Sequence, residues 1–289
     1  YSDELEAIHI LDNKKTEIEK MHGSKYVQSR VEQCFPAIEE HLDANDIVMF
    51  SGTACQIAAL RLYLKRDYDN LYCVEILCHG VPSPGLFKQY KLYLEKKLKG
   101  KITDIRFRDK TKNGWRCEHS MCVLYKKSEK TYEYRPVMPA YFSSFFYGLS
   151  LRESCYECKY ANLDRIGDIT LGDLWGIEQF DYDFYDKNGV SLAIVNTIKG
   201  EKIFNKVKNL VEYRQYNEQQ VTKFNGNLKH PTTRPQNREI IYKQLDEMSF
   251  EEYSKKYLAN KNKLKYVLKD IMPKQIKVLY KKYFKQVKK

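Results

Sequence analysis

Two cysteines two residues apart, in Cys155-Tyr156-Glu157-Cys158, carry the most specific chemistry in this chain. That spacing suits one tetrahedral metal ion or one edge of an iron–sulfur cluster. Two more thiols belong with them by position. Cys55 comes shortly after the apolar run Asp46-Ile47-Val48-Met49-Phe50, and Cys78 directly after Leu71-Tyr72-Cys73-Val74-Glu75-Ile76-Leu77. Each run reads as a buried strand, so each cysteine sits just past a strand end, where open α/β sheets bind ligands. Four thiolates there could hold zinc or a [4Fe–4S] cluster, and the residues alone do not choose. Cys73, Cys117 and Cys122 fall within predicted strands and Cys34 on the first predicted helix, positions that suit small buried hydrophobes. Cys73 is the one substitute ligand among them.

Other residues could serve a second ligand. His79 follows Cys78 directly and could relay a proton or donate to a bound group, or could be satisfied by backbone alone. Ser51-Gly52-Thr53, ahead of the helical stretch Gln56–Leu64, offers backbone N–H groups for a phosphate, or is an ordinary turn capped by Thr53. Gly23 to Ser29 packs polar groups and an aromatic into seven residues, as a nucleotide contact or an exposed loop would. Arg106-Phe107-Arg108-Asp109-Lys110 supplies cations and Trp115 an aromatic face. Asp168, Asp173 and Trp175 surround the turn Gly172 to Gly176, where the acids could meet ribose hydroxyls or cap the turn.

The elements that must position these residues alternate. A helix is predicted through Val31–His41, a strand over 46–50, a helix to Leu64, a strand over 71–77 and a helix from about Gly85 to Leu98. Ser83 suits its N-cap and Pro84 its first turn. Two strands joined by a helix argue for a parallel sheet. Ile102–Phe107, Glu118–Tyr125 and Thr131–Tyr134 read as an antiparallel insertion at about 102–135. A further strand and turn are expected over 168–176 and a strand over 190–196, followed after Gly200 by a helix to Leu210. The predicted class is α/β: a mainly parallel sheet with flanking helices, an antiparallel insertion and a helical C-terminal tail, divided as a domain over 1–260 and a tail over 261–289.

Composition narrows the class of function. Of the net charge of +12, residues 261–289 carry +10, with 11 Lys and the single acid Asp270. The body is thus near neutral, which argues against a nucleic-acid-binding core. Eight cysteines in 289 residues without a signal-like start fit reduced thiols in the cytoplasm better than a secreted disulfide scaffold.

In order along the chain, six stretches resemble one family. They are Gly23–Ser29, Phe50-Ser51-Gly52-Thr53-Ala54-Cys55-Gln56, Cys78-His79-Gly80-Val81-Pro82-Ser83-Pro84, Phe107-Arg108-Asp109-Lys110 with Gly114-Trp115, Cys155–Lys159, and Gly167–Gly176. The family is that of the coenzyme F-420 hydrogenase and dehydrogenase beta subunits, and the resemblance spans roughly 20–200. It implies FAD, a [4Fe–4S] cluster held by Cys55, Cys78, Cys155 and Cys158, and an oxidoreductase that exchanges a hydride with a small-molecule donor or acceptor. Cofactor contacts are expected from Ser24, Lys25, Tyr26, Gln28, Ser29, Ser51, Gly52, Thr53, Gln56, Lys110, Asp173 and Trp175, and a catalytic part from His79 by its place at the strand end. Members often have Pro at the place of Ala54, and many carry a ferredoxin-like segment upstream. A redox partner protein or separate ferredoxin-like module is therefore expected. Relatives in surface-polysaccharide settings suggest that context. The alternative is a non-catalytic, zinc-stabilised interaction module of an envelope-assembly complex.

The tail has apolar stripes at 264, 267, 268, 271 and 272 and again at 276, 279, 280, 283, 284 and 287, broken at Pro273. It could lie peripherally on the inner face of a membrane, or pack on this domain or a partner.

Overall fold

The computed structural model describes residues 1–112, 114–115, 121–258 and 264. The readings made of Cys117, of Glu118–Ser120 and of all the tail except Leu264 fall outside them.

Helix α1 (Lys15–Met21) and α2 (Phe35–Asp43) precede strand β1 (Val48–Thr53), which runs straight into α3 (Ala54–Leu64). Strand β2 (Leu71–Ile76) and α4 (Pro84–Leu98) repeat the unit. Burial alternates along β1, so Val48 and Phe50 face the core formed with Ile38, Leu42, Ile57 and Leu60. Its other face leaves Ile47 and Met49 exposed; the run is buried on one side, not both. The predicted N-cap of α4 is present: Ser83 Oγ accepts from Leu86 N at 3.2 Å, with Pro84 next.

The predicted insertion is a meander of β3 (Lys101–Arg106), β4 (Cys122–Lys127) and β5 (Lys130–Tyr134), each pair antiparallel. It forms its own sheet. Helices α5 (Ala140–Phe146) and α6 (Glu153–Tyr156) then return the chain to the first sheet. There β6 (Ile169–Asp173) pairs parallel to β2, and after α7 (Ile177–Phe180), β7 (Ser191–Val195) pairs antiparallel to β6. The order is β1-β2-β6-β7, parallel except at the β7 edge. Helix α8 (Ile198–Val207) starts two residues earlier than Gly200, because Thr197 Oγ1 accepts from Gly200 N at 3.1 Å and caps it. Helices α9 (Glu218–Thr222), α10 (Arg238–Lys243) and α11 (Phe250–Tyr253) follow, and α11 continues into a helical turn over Ser254–Leu258.

Asp168 is a structural pin. It is 1 % exposed, its Oδ2 accepts from Cys73 N at 2.7 Å and its Oδ1 from Thr197 Oγ1 at 2.6 Å. One carboxylate thus ties β2 to the start of α8, with both oxygens satisfied as burial requires. A second core is aromatic: Tyr90 and Tyr141 stack at 5.0 Å beside Phe107, Phe142 and Phe250. It locks α4 and α5 against the meander and fixes the wall behind the site.

Candidate functional site

A cleft of about 2420 Å³ opens along the strand ends and the N-terminal segment. Pockets for drug-sized ligands hold roughly 300–1,000 Å³, so this one can take an extended ligand with a second group beside it. Its walls include Cys55, Cys78, Cys155 and Cys158, drawn from three separate parts of the chain.

Three of the four thiols are placed by local structure. Cys55 is the second residue of α3, exposed, with its Sγ 3.1 Å from Thr53 Oγ1. Cys78 lies two residues beyond β2 and its Sγ accepts from Gly80 N at 3.3 Å. Cys155 is on α6, whose Tyr156 hydroxyl donates to Gly148 O at 2.8 Å and accepts from Leu151 N at 3.1 Å. Gly80 has φ +123°, and a Cβ there would meet Leu151 Cδ1 at 2.5 Å and Cys155 Cβ at 3.3 Å. The two cysteine-bearing loops therefore approach as closely as a bare backbone allows.

Burial pushes the Cys78 thiol up to about 12, and neighbouring Cys155, Cys55 and Cys158 push the same way. Burial likewise raises Cys155, with Cys55 and Cys158 adding to it. These groups feel one another's charge, so four thiolates here need a strong cation to coexist; a coordinating metal deprotonates its thiols. By donor type that set fits an iron–sulfur centre. Among the described residues, no three His, Cys, Asp or Glu side chains stand close enough to hold a single metal ion. A four-iron cluster takes each thiolate at a different iron and has no such requirement.

The expected phosphate turn is not a loop. β1 continues through Thr53 and α3 begins at Ala54. Gln56 Oε1 accepts from Thr53 N at 3.0 Å and from Thr53 Oγ1 at 3.1 Å, while Gln56 Nε2 donates to Ser29 Oγ at 2.9 Å. The chain Ser29–Gln56–Thr53 joins the 24–29 segment to the helix start. Gln28 Oε1 is buried without a partner among the described residues, an acceptor open to a ligand donor. Tyr26 stacks on Phe145 at 4.1 Å. Lys25 is spoken for differently: its Nζ lies 3.1–3.5 Å from the carbonyls of Lys20, Met21, His22 and Gly23, which share its three N–H groups at the end of α1.

His79 lines the cleft with its Nε2–H donated to Phe145 O at 3.1 Å, and Thr232 Oγ1 donates to its carbonyl at 2.8 Å. Burial lowers its pKa and keeps the ring neutral. It is thus held by backbone at a fixed angle, with Nδ1 3.5 Å from Thr232 Oγ1. Asp173 pairs with Arg108 at 3.4 Å, and Trp175 stacks on Trp115 at 4.5 Å with Arg108 5.6 Å from its ring.

Lys110 is exposed outside the cleft, which Arg108 lines instead, and Asp168 and Trp115 do not line it either; the other residues expected as cofactor contacts or cluster ligands, with His79, do. The charged run at 106–110 marked the neighbourhood but not which cation turns inward. Two other contributors carried no signal in sequence. His9 donates from Nε2 to Ser51 O at 3.1 Å and stacks on Phe50, with Nδ1 buried and unpartnered among the described residues. Asn225 to Asn227 and Pro231 close the His79 side.

Comparison with known proteins gives one family. Over residues 46–220 the sequence matches the family model for the C-terminal part of the coenzyme F420 hydrogenase/dehydrogenase beta chain. A similar solved chain belongs to the F420-reducing [NiFe] hydrogenase complex from Methanosarcina barkeri, from a study of xenon derivatization. It is 16 % identical with a TM-score of 0.44, covering 82 % of this chain and 74 % of that one. No curated protein matches.

Proposed function

We propose, for a chain that belongs to the coenzyme F420 hydrogenase/dehydrogenase beta-subunit family, a flavin- and [4Fe–4S]-dependent transfer of electrons between a hydride donor or acceptor and a one-electron partner. A redox role of hydrogenase/dehydrogenase beta-subunit type follows from the family. The finer reading rests on one observation: Cys55, Cys78, Cys155 and Cys158 line the same cleft as the segments at 24–29 and 51–56.

Bound FAD would supply hydride exchange, and a [4Fe–4S] cluster would supply one-electron transfer. The four cysteines would hold the cluster. Ser24, Gln28 and Ser29 together with Thr53 and Gln56 would orient the flavin, with Gln28 Oε1 taking a donor it now lacks. Tyr26, stacked on Phe145, and Trp175, stacked on Trp115, offer flat walls that exclude water. His79, neutral and fixed through Nε2, presents Nδ1 beside Thr232 as a place to hold a proton near the thiols. Arg108 with Asp173 would favour an anionic substrate while limiting its net charge.

Protein purified without oxygen should be brown, carry about four irons per chain and release FAD. A colourless protein with one zinc and no flavin would overturn this reading in favour of the zinc-stabilised interaction module.

A further inference from the structure

Behind the four cysteines lies a buried ion pair with no part in the chemistry described so far. Glu75 on β2 is 0 % exposed and stands three residues before Cys78. The Arg165 side chain is 3 % exposed and stands seven residues after Cys158. Arg165 Nη2 pairs with Glu75 Oε1, and Arg165 Nη1 donates to the carbonyls of Tyr160 at 2.6 Å and Asn162 at 2.8 Å. Glu75 Oε2 accepts from Ile166 N at 3.2 Å and Gly167 N at 3.0 Å. The closure is tight: a Cβ on Gly167 would lie 2.5 Å from Glu75 Cβ.

Such a pair contributes little net stability, because desolvation of both charges offsets their attraction. Its geometry explains its presence better. Among the described residues, the carboxylate and the guanidinium bind, besides each other, only backbone groups of the loop that leaves Cys158, at Tyr160, Asn162, Ile166 and Gly167. Arg165 also lines the cleft that Cys155 and Cys158 line, with its Nε–H buried and unaccepted among the described residues.

We propose that Glu75 and Arg165 are the positioning pair of the four-cysteine site, fixing the Cys155–Cys158 loop against the strand end that bears Cys78. The proposal deepens the function proposed above and rests on those cysteines being ligands. Groups that orient a metal's ligands govern both retention and electronics of the centre. A planar guanidinium holds two carbonyls and a carboxylate in one fixed fork, whereas an ammonium is a freely rotating point donor. With Arg165 removed, the buried Glu75 carboxylate is left uncompensated near Cys78, and added negative charge lowers a cluster's potential.

The test uses the full chain and two independent readouts. The first is the rate at which iodoacetamide labels Cys155 and Cys158 in metal-free protein. The second is iron content and midpoint potential of protein prepared without oxygen. Arg165→Gln should speed labelling, lower cluster retention by about 10- to 100-fold and leave the remaining cluster at a more negative potential. Arg165→Lys should keep the potential near that of the parent while labelling stays fast. Removing one partner strands a buried charge, so the double variant Glu75→Gln with Arg165→Gln controls for folding through its thermal midpoint. It should fold like the parent and still label fast. Parent-like labelling in a folded double variant, or an unchanged potential in Arg165→Gln, would overturn the proposal. A parent chain that binds no iron would instead sink the cluster reading, while labelling still judges the latch.

Discussion

Thr53 Oγ1 lies 3.1 Å from Cys55 Sγ, so the residue that caps α3 also touches a candidate cluster ligand. The helix start that would receive the flavin and the thiol that would hold iron are therefore one local structure. A change to either should be felt by both.

Gln56→Ala tests that coupling. It removes the acceptor for Thr53 N and the donor to Ser29 Oγ. Loss of a helix cap of this kind costs about 1 kcal/mol. FAD affinity, measured by quenching of flavin fluorescence, should fall roughly 10-fold, the loss expected for about 1.4 kcal/mol. Unchanged affinity would place the flavin elsewhere.

Cysteine variants should separate ligands from packing. Cys155→Ser or Cys158→Ser is expected to abolish iron binding. Cys122→Ser should leave it, because Cys122 is 1 % exposed in the separate meander sheet. Equal iron content in all three would overturn the ligand assignment.

Gly80→Ala should damage the site without touching a thiol. At φ +123° an alanine is strained, and its Cβ would press on Leu151 and Cys155. Strain of this sort costs about 1–3 kcal/mol. A lowered thermal midpoint together with faster cluster loss is expected; a parent-like melt would show that the loop adapts freely.

Stability should depend on His9. Burial holds its pKa below the ordinary 6.5, so the folded chain favours the neutral ring. That contribution is whole above 6.5 and is lost as pH falls through the lowered folded value. Thermal midpoints measured on either side of 6.5 should fall on the acid side for the parent, and fall less for His9→Asn. Parallel curves for the two proteins would exclude this role.

Much of this fold was legible because local signals suffice for it. The runs at 46–50 and 71–77, the cap at Ser83 and the Cys155–Cys158 spacing state their own structure. Direction was less legible: hydrophobic pattern does not say whether a strand runs with its neighbour, and β7 turned out antiparallel. Nor does pattern say where a side chain ends up after long-range packing. Lys110 and Arg108 share one charged run, yet only Arg108 turns into the cleft. Lys25 carries a charge suited to phosphate, but the carbonyls ending α1 take all its donors. His9 stands in an extended segment with no motif around it, and only the fold carries it to Ser51.

The pin at Asp168 has a consequence for how the chain reaches this state. Its bond to Cys73 N joins residues 95 apart in sequence, across the whole meander. Hairpins such as β4–β5 close over a few residues and form quickly, whereas pairings this distant must first overcome a large loop-closure entropy. On that ground β2 is expected to meet β6 after the hairpins close, and Cys78 to meet the Cys155–Cys158 loop with it. A site assembled from such distant parts is expected to complete late in folding.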